Sequence, residues 1–467
     1  MKMLSPVFAS LKEAETKPFW ISNQDAPEAF PSLTCATTCD LAIVGGGLTG
    51  LWAAIEAKIA DPTLDVVILE SQHVAYGASG RNGGFFSESL THGLAHGLSL
   101  WPREIDTLLR LGRENVSEIF AYLDAEGIDA DQKFCGKSVM ALRPHQVDEL
   151  AASSKQLQEY GEKVEFLTGD ETRKDIDSPT YLASLRIHDG SGILDPAKLS
   201  WGLRQAAVKA GVRIYEMTPV KALARNGAGM LLRTASAEIS AHKVILATNA
   251  FAPLLRRMKN MAIPVFDHVL VTEQLTSSQI DSIGWKESQG VTDAGNQFHY
   301  YRRTPDDRIL WGGYDAIYYR GSSRVASQEQ FDASHQLLAE HFFETFPQLE
   351  GLNFSHKWAG MIDTTSRFTP VIGRAFGGRL AYAFGYTGLG VTSSRFGAKV
   401  ALDFINNRTS ELTELTLVKR KPIPFPPEPI RSALVAKTRG ALAREDIDGK
   451  RGPWLGLLDR MGVGFNS

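Results

Sequence analysis

Gly45, Gly47 and Gly50 stand at the spacing G-x-G-x-x-G, and Glu70 follows 20 residues beyond the last of them. Together they can bind the diphosphate and ribose of a dinucleotide. The first glycine lets the chain turn sharply, the second lets backbone approach a pyrophosphate, and the third lets a helix lie close on a strand. The carboxylate accepts hydrogen bonds from a ribose diol. These groups need a particular frame. The apolar run Asp40–Val44 reads as a buried strand, and a helix opening at Leu48 and Thr49 aims free N–H groups and the positive end of its dipole at the phosphate. That helix should stop at Asp61-Pro62, because proline cannot continue it. Val66–Leu69 is then a second strand with Glu70 and Ser71 at its tip.

This fingerprint alone does not separate NAD from FAD. A second run of small residues does: Gly77, Ala78, Ser79, Gly80, Arg81, Asn82, Gly83 and Gly84 follow the second strand. A nicotinamide site needs no such loop, whereas a flavin needs backbone to come close over a second stretch. Arg81 either pairs with phosphate or caps a helix. A third glycine turn, Gly385-Tyr386-Thr387-Gly388-Leu389-Gly390, again runs from strand into helix, with Val391 next.

The pair G-G-G-L-T-G-L-W and G-A-S-G-R-N-G-G resembles the D-amino-acid-oxidase-like FAD-dependent oxidoreductases, nearest to gamma-glutamylputrescine oxidoreductases and aminophosphonate oxidoreductases. The likeness runs from about Phe19 to the C-terminal tail. It implies that Ala247, Thr248 and Asn249 end a strand beside the FAD phosphates and that Val220 offers backbone to the adenine. It also implies that the turn at Tyr386–Val391 faces the pyrimidine end of the isoalloxazine, where N–H groups stabilise charge on the reduced ring. Arg81–Gly84 and Gly360 would lie against the flavin. No cysteine occurs between Trp358 and Arg367, where some relatives attach FAD covalently, so non-covalent FAD is expected.

Composition limits the other possibilities. At 467 residues the chain calls for two domains, and 43% hydrophobic with 22% charged residues is ordinary for a globular protein. A net charge of -3 gives no reason to expect nucleic acid. No membrane span, signal peptide or metal set is read, and three sparse cysteines fit a reducing cytoplasm. The expected fold is α/β (α+β overall). A discontinuous Rossmann-like FAD-binding domain takes residues 38–99, 190–262 and 355–410. A substrate domain with an antiparallel sheet and helices takes 100–189 and 263–354. A lead-in (1–37), with Phe19-Trp20 as hydrophobic anchor, and a Pro-rich tail (411–467) complete the chain.

On the substrate side, relatives that oxidise free amino acids often carry Arg in A-G-L-R-P. Here Ala359-Gly-Met-Ile-Asp363 puts Ile362 at that place. The resemblance therefore points to oxidation of a C–N bond of a small amine, with hydride passing to flavin N5 and O2 or another acceptor reoxidising the flavin. An amino- or imino-acid dehydrogenase with a moved clamp (Arg302, Arg303 or Arg367) and an electron-transfer flavoprotein subunit are the alternatives. Thr304-Pro-Asp-Asp307 signals a hairpin whose alternation puts His299 and Tyr301 on one face and Phe298, Tyr300 and Arg302 on the other. His299, Tyr301, Tyr314, Trp358 and Tyr386 are the candidate pocket aromatics. Oligomeric state is not legible.

Overall fold

The first apolar run forms the strand Thr37–Val44, buried almost throughout from Leu41. It lies between two parallel neighbours, Val66–Leu69 and Glu238–Leu246. A strand covered on both faces has no polar side to show, which is why its sequence does not alternate. In a computed structural model describing residues 6–22 and 26–464, the first sheet has the order Val371–Ala375, Leu380–Phe384, Glu238–Leu246, Thr37–Val44, Val66–Leu69, Arg213–Tyr215. Leu41, Ile43, Val66 and Ile68 pack under the helices Leu48–Ala60, Pro196–Lys209 and Gly390–Ile405. Ala42, Val44, Val67 and Leu69 face the opposite way, toward the hairpin Ala222–Asn226/Gly229–Arg233. The first helix ends at Ala60, before Pro62, and Asp195 caps the helix Pro196–Lys209 by accepting from the N–H groups of Ala197 and Lys198.

The second sheet also has eight strands, in the order Phe354–Thr365, Ala262–Thr272, Ile309–Gly313, His299–Arg303, Gly290–Asp293, Lys137–Ala141, Ala183–Ile187, Val164–Thr168. The architecture is mixed α/β, as expected. Two boundaries differ from the sequence reading. The chain does not return to the first sheet at 355: Phe354–Thr365 pairs with Ala262–Thr272 as far as Ala262↔Thr365, and the return comes at Val371. Residues 105–126, given to the substrate domain by the sequence reading, form the helix Ile105–Glu126, which buries Leu108, Leu111, Ile119, Phe120 and Leu123 in the core under the first sheet. Its apolar residues recur at helical spacing, and such a stripe does not name its partner.

Phe19 and Trp20 are buried beside Val269, Leu310 and Trp358, so they do anchor the lead-in. The tail wraps over the chain's own body. Arg367 Nη2 donates to Leu417 O at 2.8 Å, Phe425 N to Asn260 O at 2.7 Å, and Tyr318 Oη to Glu428 Oε1 at 2.6 Å. After the helix Ile430–Asp448 and the shorter Pro453–Arg460, Gly464 N returns to Ser366 O at 3.0 Å. The outermost parts of the lead-in and tail, 1–5 and 465–467, and residues 23–25 lie outside the described residues. Among the described residues no helix is long and apolar enough to cross a membrane, and no cluster could hold a metal ion.

Candidate cofactor and active site

The three glycine turns meet along one cavity of about 1560 Å³ between the sheets. At the first turn, a Cβ on Gly45 would lie 2.5 Å from Ala247 O, and one on Gly47 2.8 Å from Ser79 Oγ. Gly50 faces the strand, where a Cβ would sit 1.9 Å from Gly45 O, so it serves helix packing and does not line the cavity. The helix start has no side-chain cap of its own; Leu48 N donates to Ser79 Oγ at 3.0 Å, across from the second loop. Glu70 is held by three donors: Gly46 N at 2.6 Å on Oε2, and Gln72 N at 2.8 Å and Ser71 Oγ at 3.0 Å on Oε1. Glu70, Ser71, Val220, Ala247, Thr248 and Asn249 all line the same end.

Two buried tryptophans clamp the second loop. Trp20 Nε1 donates to Asn82 O at 2.9 Å and Trp358 Nε1 to Arg81 O at 3.0 Å. Asn82 ties the loop internally through Ala78 O, Ser79 O and Gly84 N. Arg81 caps the C-terminal end of the short 3-10 helix Ala78–Gly80, its N–H donating to Ala78 O, and its guanidinium is paired within the protein: Nη1 with Glu329 Oε2 at 2.5 Å, and Nε donating to Tyr76 O. Gly77, Ala78, Ser79, Arg81, Asn82, Gly83 and Gly360 line the cavity. Gly84 does not; a Cβ there would be 2.2 Å from Leu194 O, so it is a packing glycine.

At the third turn Tyr386, Thr387, Gly388, Leu389, Gly390 and Val391 line the cavity. Gly388 has φ +94° and a Cβ on it would meet nothing within 4 Å. The helix Gly390–Ile405 begins without a side-chain cap. Thr49 Oγ1 donates to Tyr386 Oη at 3.0 Å, joining the first turn to the third. Buried Asp363 accepts from Gly385 N, and burial pushes its carboxyl up to about 7 against the pull of that and neighbouring N–H groups. The frame fits FAD: two helix starts without side-chain caps of their own, backbone approach at separate stretches, open space at Gly388, and a buried Thr248 hydroxyl without a partner among the described residues.

The pocket aromatics need correction. The hairpin alternates as expected, but its other face turns to the cavity. Tyr300 lines it and donates to Asp267 Oδ2 at 2.5 Å. Tyr301 is buried in the second core, its hydroxyl 2.6 Å from Tyr181 Oη. His299 lies behind the wall, with Nδ1 2.5 Å from Asp293 Oδ2 and Nε2 3.0 Å from His341 Nδ1. Trp358 is spent on the loop clamp, and neither it, His299 nor Tyr301 lines the cavity. Tyr314 and Tyr386 do. Period-2 alternation divides residues between faces without saying which face meets a ligand. Asp267, Lys137 and His92 line the cavity and carried no sequence signal. Burial pushes Asp267 up to about 6, lowers Lys137, and holds His92 down to about 3, so its imidazole is neutral.

Comparison with known proteins agrees with this geometry. Gamma-glutamylputrescine oxidoreductase of Escherichia coli (strain K12) is 28% identical over 411 residues, 86% of this chain and 91% of that protein. A protein named probable oxidoreductase OrdL from Haemophilus influenzae is 26% identical over 84% of this chain and 89% of its own. The crystal structure of glycine oxidase from Geobacillus kaustophilus superposes with a TM-score of 0.68 at 20% identity, covering 83% of this chain and 99% of that one, which shows the fold. The family described as DAO, FAD dependent oxidoreductase, matches residues 40–403. With that match over most of its length, the chain belongs to the DAO family of FAD-dependent oxidoreductases and is a flavoenzyme.

Proposed function

We propose that this enzyme oxidises a C–N bond of a small amine, using non-covalently bound FAD. The observation that carries the reading is the apolar wall at Gly360, Met361 and Ile362, with Asp267, Gly360's register partner on the neighbouring strand, lining the same cavity. A substrate carboxylate against that wall would be desolvated without a partner, at a cost of several kcal/mol. The three arginines that could have moved the clamp are committed elsewhere. Arg302 donates to Gly84 O and Leu194 O, Arg303 to Asp307 and Trp285 O, and Arg367 to Leu417 O, Arg420 O and Thr369.

An ammonium, by contrast, meets a carboxylate. Asp267, held by Tyr300 Oη, can pair with the incoming cation and take its proton, leaving a neutral nitrogen whose lone pair assists C–H cleavage. FAD, when bound, supplies the two-electron acceptor at N5, and the imine left behind hydrolyses in water. Gly45, Gly47 and Leu48 would hold the diphosphate, Glu70 the ribose, and the N–H groups at Gly388–Gly390 the pyrimidine end. Tyr300, Tyr314 and Tyr386 line the cavity and would wall the reacting carbon and its nitrogen. O2 or another acceptor completes the cycle.

Anaerobic mixing of the holoprotein with matched pairs, an amine and its α-carboxylated counterpart, tests the reading. Faster bleaching of the flavin by the amine is expected; faster bleaching by the carboxylated member across several pairs would refute it.

A further inference from the structure

The family match ends at residue 403, and the described chain continues to Gly464. That extra segment takes part in the cavity. Leu434, Thr438, Leu442 and Asp446 recur every fourth residue along the helix Ile430–Asp448, so they share one face. All four line the cavity, as do Trp454 and Leu458 of the helix that follows.

Two features mark this face as a ligand wall. The helix buries only Arg431, Thr438 and Ala441, leaving Leu434 and Leu442 half-buried at the cavity's edge, not sunk in a core. Its charged residues that line the cavity, Arg431, Arg439, Glu445 and Asp446, all have partners within the protein. Arg431 donates to Asn260 Oδ1 at 2.7 Å and Ser322 Oγ at 2.9 Å, Arg439 pairs with Asp315, Glu445 with Arg451 at 2.7 Å, and Asp446 accepts from Asn296 N and Gln297 N at 2.8 Å each. What the segment offers the cavity is apolar surface held rigidly in place.

Size points the same way. Single-ligand pockets run to about 1,000 Å³, and this cavity reaches about 1560 Å³. Room therefore remains beyond a dinucleotide and a two-carbon amine. We infer that residues 423–463 form the distal wall of the substrate site, and that the substrate is an amine carrying an alkyl or aryl extension of several heavy atoms. The substrate class rests on the amine reading above.

The test compares ethylamine with hexylamine in anaerobic flavin bleaching, using wild-type holoprotein and the variants Leu434→Trp and Leu442→Trp. Hexylamine should win by about tenfold or more in the wild type, since each buried methylene contributes about fourfold in binding. Each variant should erase most of that preference. Equal efficiency of the two amines in the wild type, or variants that slow both in proportion, overturns the inference. A parallel titration with straight-chain alcohols, read from the flavin spectrum, separates the two proposals. If no amine bleaches the flavin, the amine reading fails. Tighter binding of longer alcohols, lost in both variants, still upholds the apolar wall, and length-independent binding sinks it.

Discussion

The side-chain amide of Asn249, oriented to satisfy both residues, donates to both carboxylate oxygens of Asp363, at 2.6 and 2.8 Å. Asn249 ends the chain segment beside the first glycine turn, and Asp363 also receives Gly385 N from the third. One carboxyl thus joins two cofactor loops that lie far apart in sequence. Asp363→Ala strands two buried donors, each costing about 1–3 kcal/mol. The expected result is a melting temperature lower by several degrees and FAD lost on gel filtration. Retention of full flavin would show that the loops hold their places without this tie.

The same carboxyl gives a pH signature. Its folded pKa, about 7, lies above the ordinary 3.8, so the native state holds the proton more tightly than the unfolded chain. Between those values stability falls as pH rises, because the unfolded chain gives up a proton that the folded protein keeps. Asp363→Asn removes that penalty. Its melting temperature relative to wild type should climb from pH 4 to 7 and level off above. A constant difference across the range would count against it.

Gly388 and Gly351 have nearly the same φ, +94° and +93°, and open space around a Cβ. A valine at either position carries a strain of about 1–2 kcal/mol. Only Gly388 borders the cavity. Gly388→Val should therefore purify without flavin absorbance, while Gly351→Val should stay yellow with a comparable loss of stability.

Tyr300 steadies the ionised form of Asp267, opposing the upward push of burial. Tyr300→Phe should move the acid limb of the flavin-reduction profile from about 6 to higher pH. Tyr301→Phe, whose hydroxyl serves the core, should leave that limb in place and lower stability instead. Asp267→Asn should slow reduction by about 10²-fold or more, the usual scale of a lost general base. An unchanged rate would remove Asp267 from the proton transfer.

Ile362→Arg places a guanidinium fork on the apolar wall. Amino acids should gain on their matched amines by at least about tenfold, the lower range for a charge-assisted bidentate pair. The ratio of reduction efficiencies for one matched pair, measured in both proteins, decides this.

The cofactor end was legible because glycine leaves a steric trace: Gly45 and Gly50 are required by backbone a few ångströms away, and Gly47 by the Ser79 hydroxyl. Asp61-Pro62 was an equally local signal, and the helix before it ends at Ala60 as read. The substrate end was harder. Alternation placed Tyr300 and Tyr301 on opposite faces, but the choice between them depends on where the second sheet meets the first. Nothing near Ile105–Glu126 says that its stripe packs under the first sheet. Asp267 lies in an ordinary strand sequence and becomes chemically distinct only through burial and a tyrosine 33 residues away. Asn249 and Asp363 were each visible, one as a phosphate neighbour and the other as part of a motif; their contact was not.

The central strand Thr37–Val44 pairs with Ile239–Leu246, which itself pairs with Leu380–Tyr382. On the ribosome, at roughly 5–20 residues per second, the interval between the first and last of these segments lasts on the order of tens of seconds. Throughout it the nascent chain carries an unpaired parallel edge, a template for pairing with another chain. The segment beyond residue 410 emerges only after the nucleotide sheet is complete. The part of the cavity wall that this segment supplies is therefore added last, after every strand of the nucleotide sheet has left the ribosome.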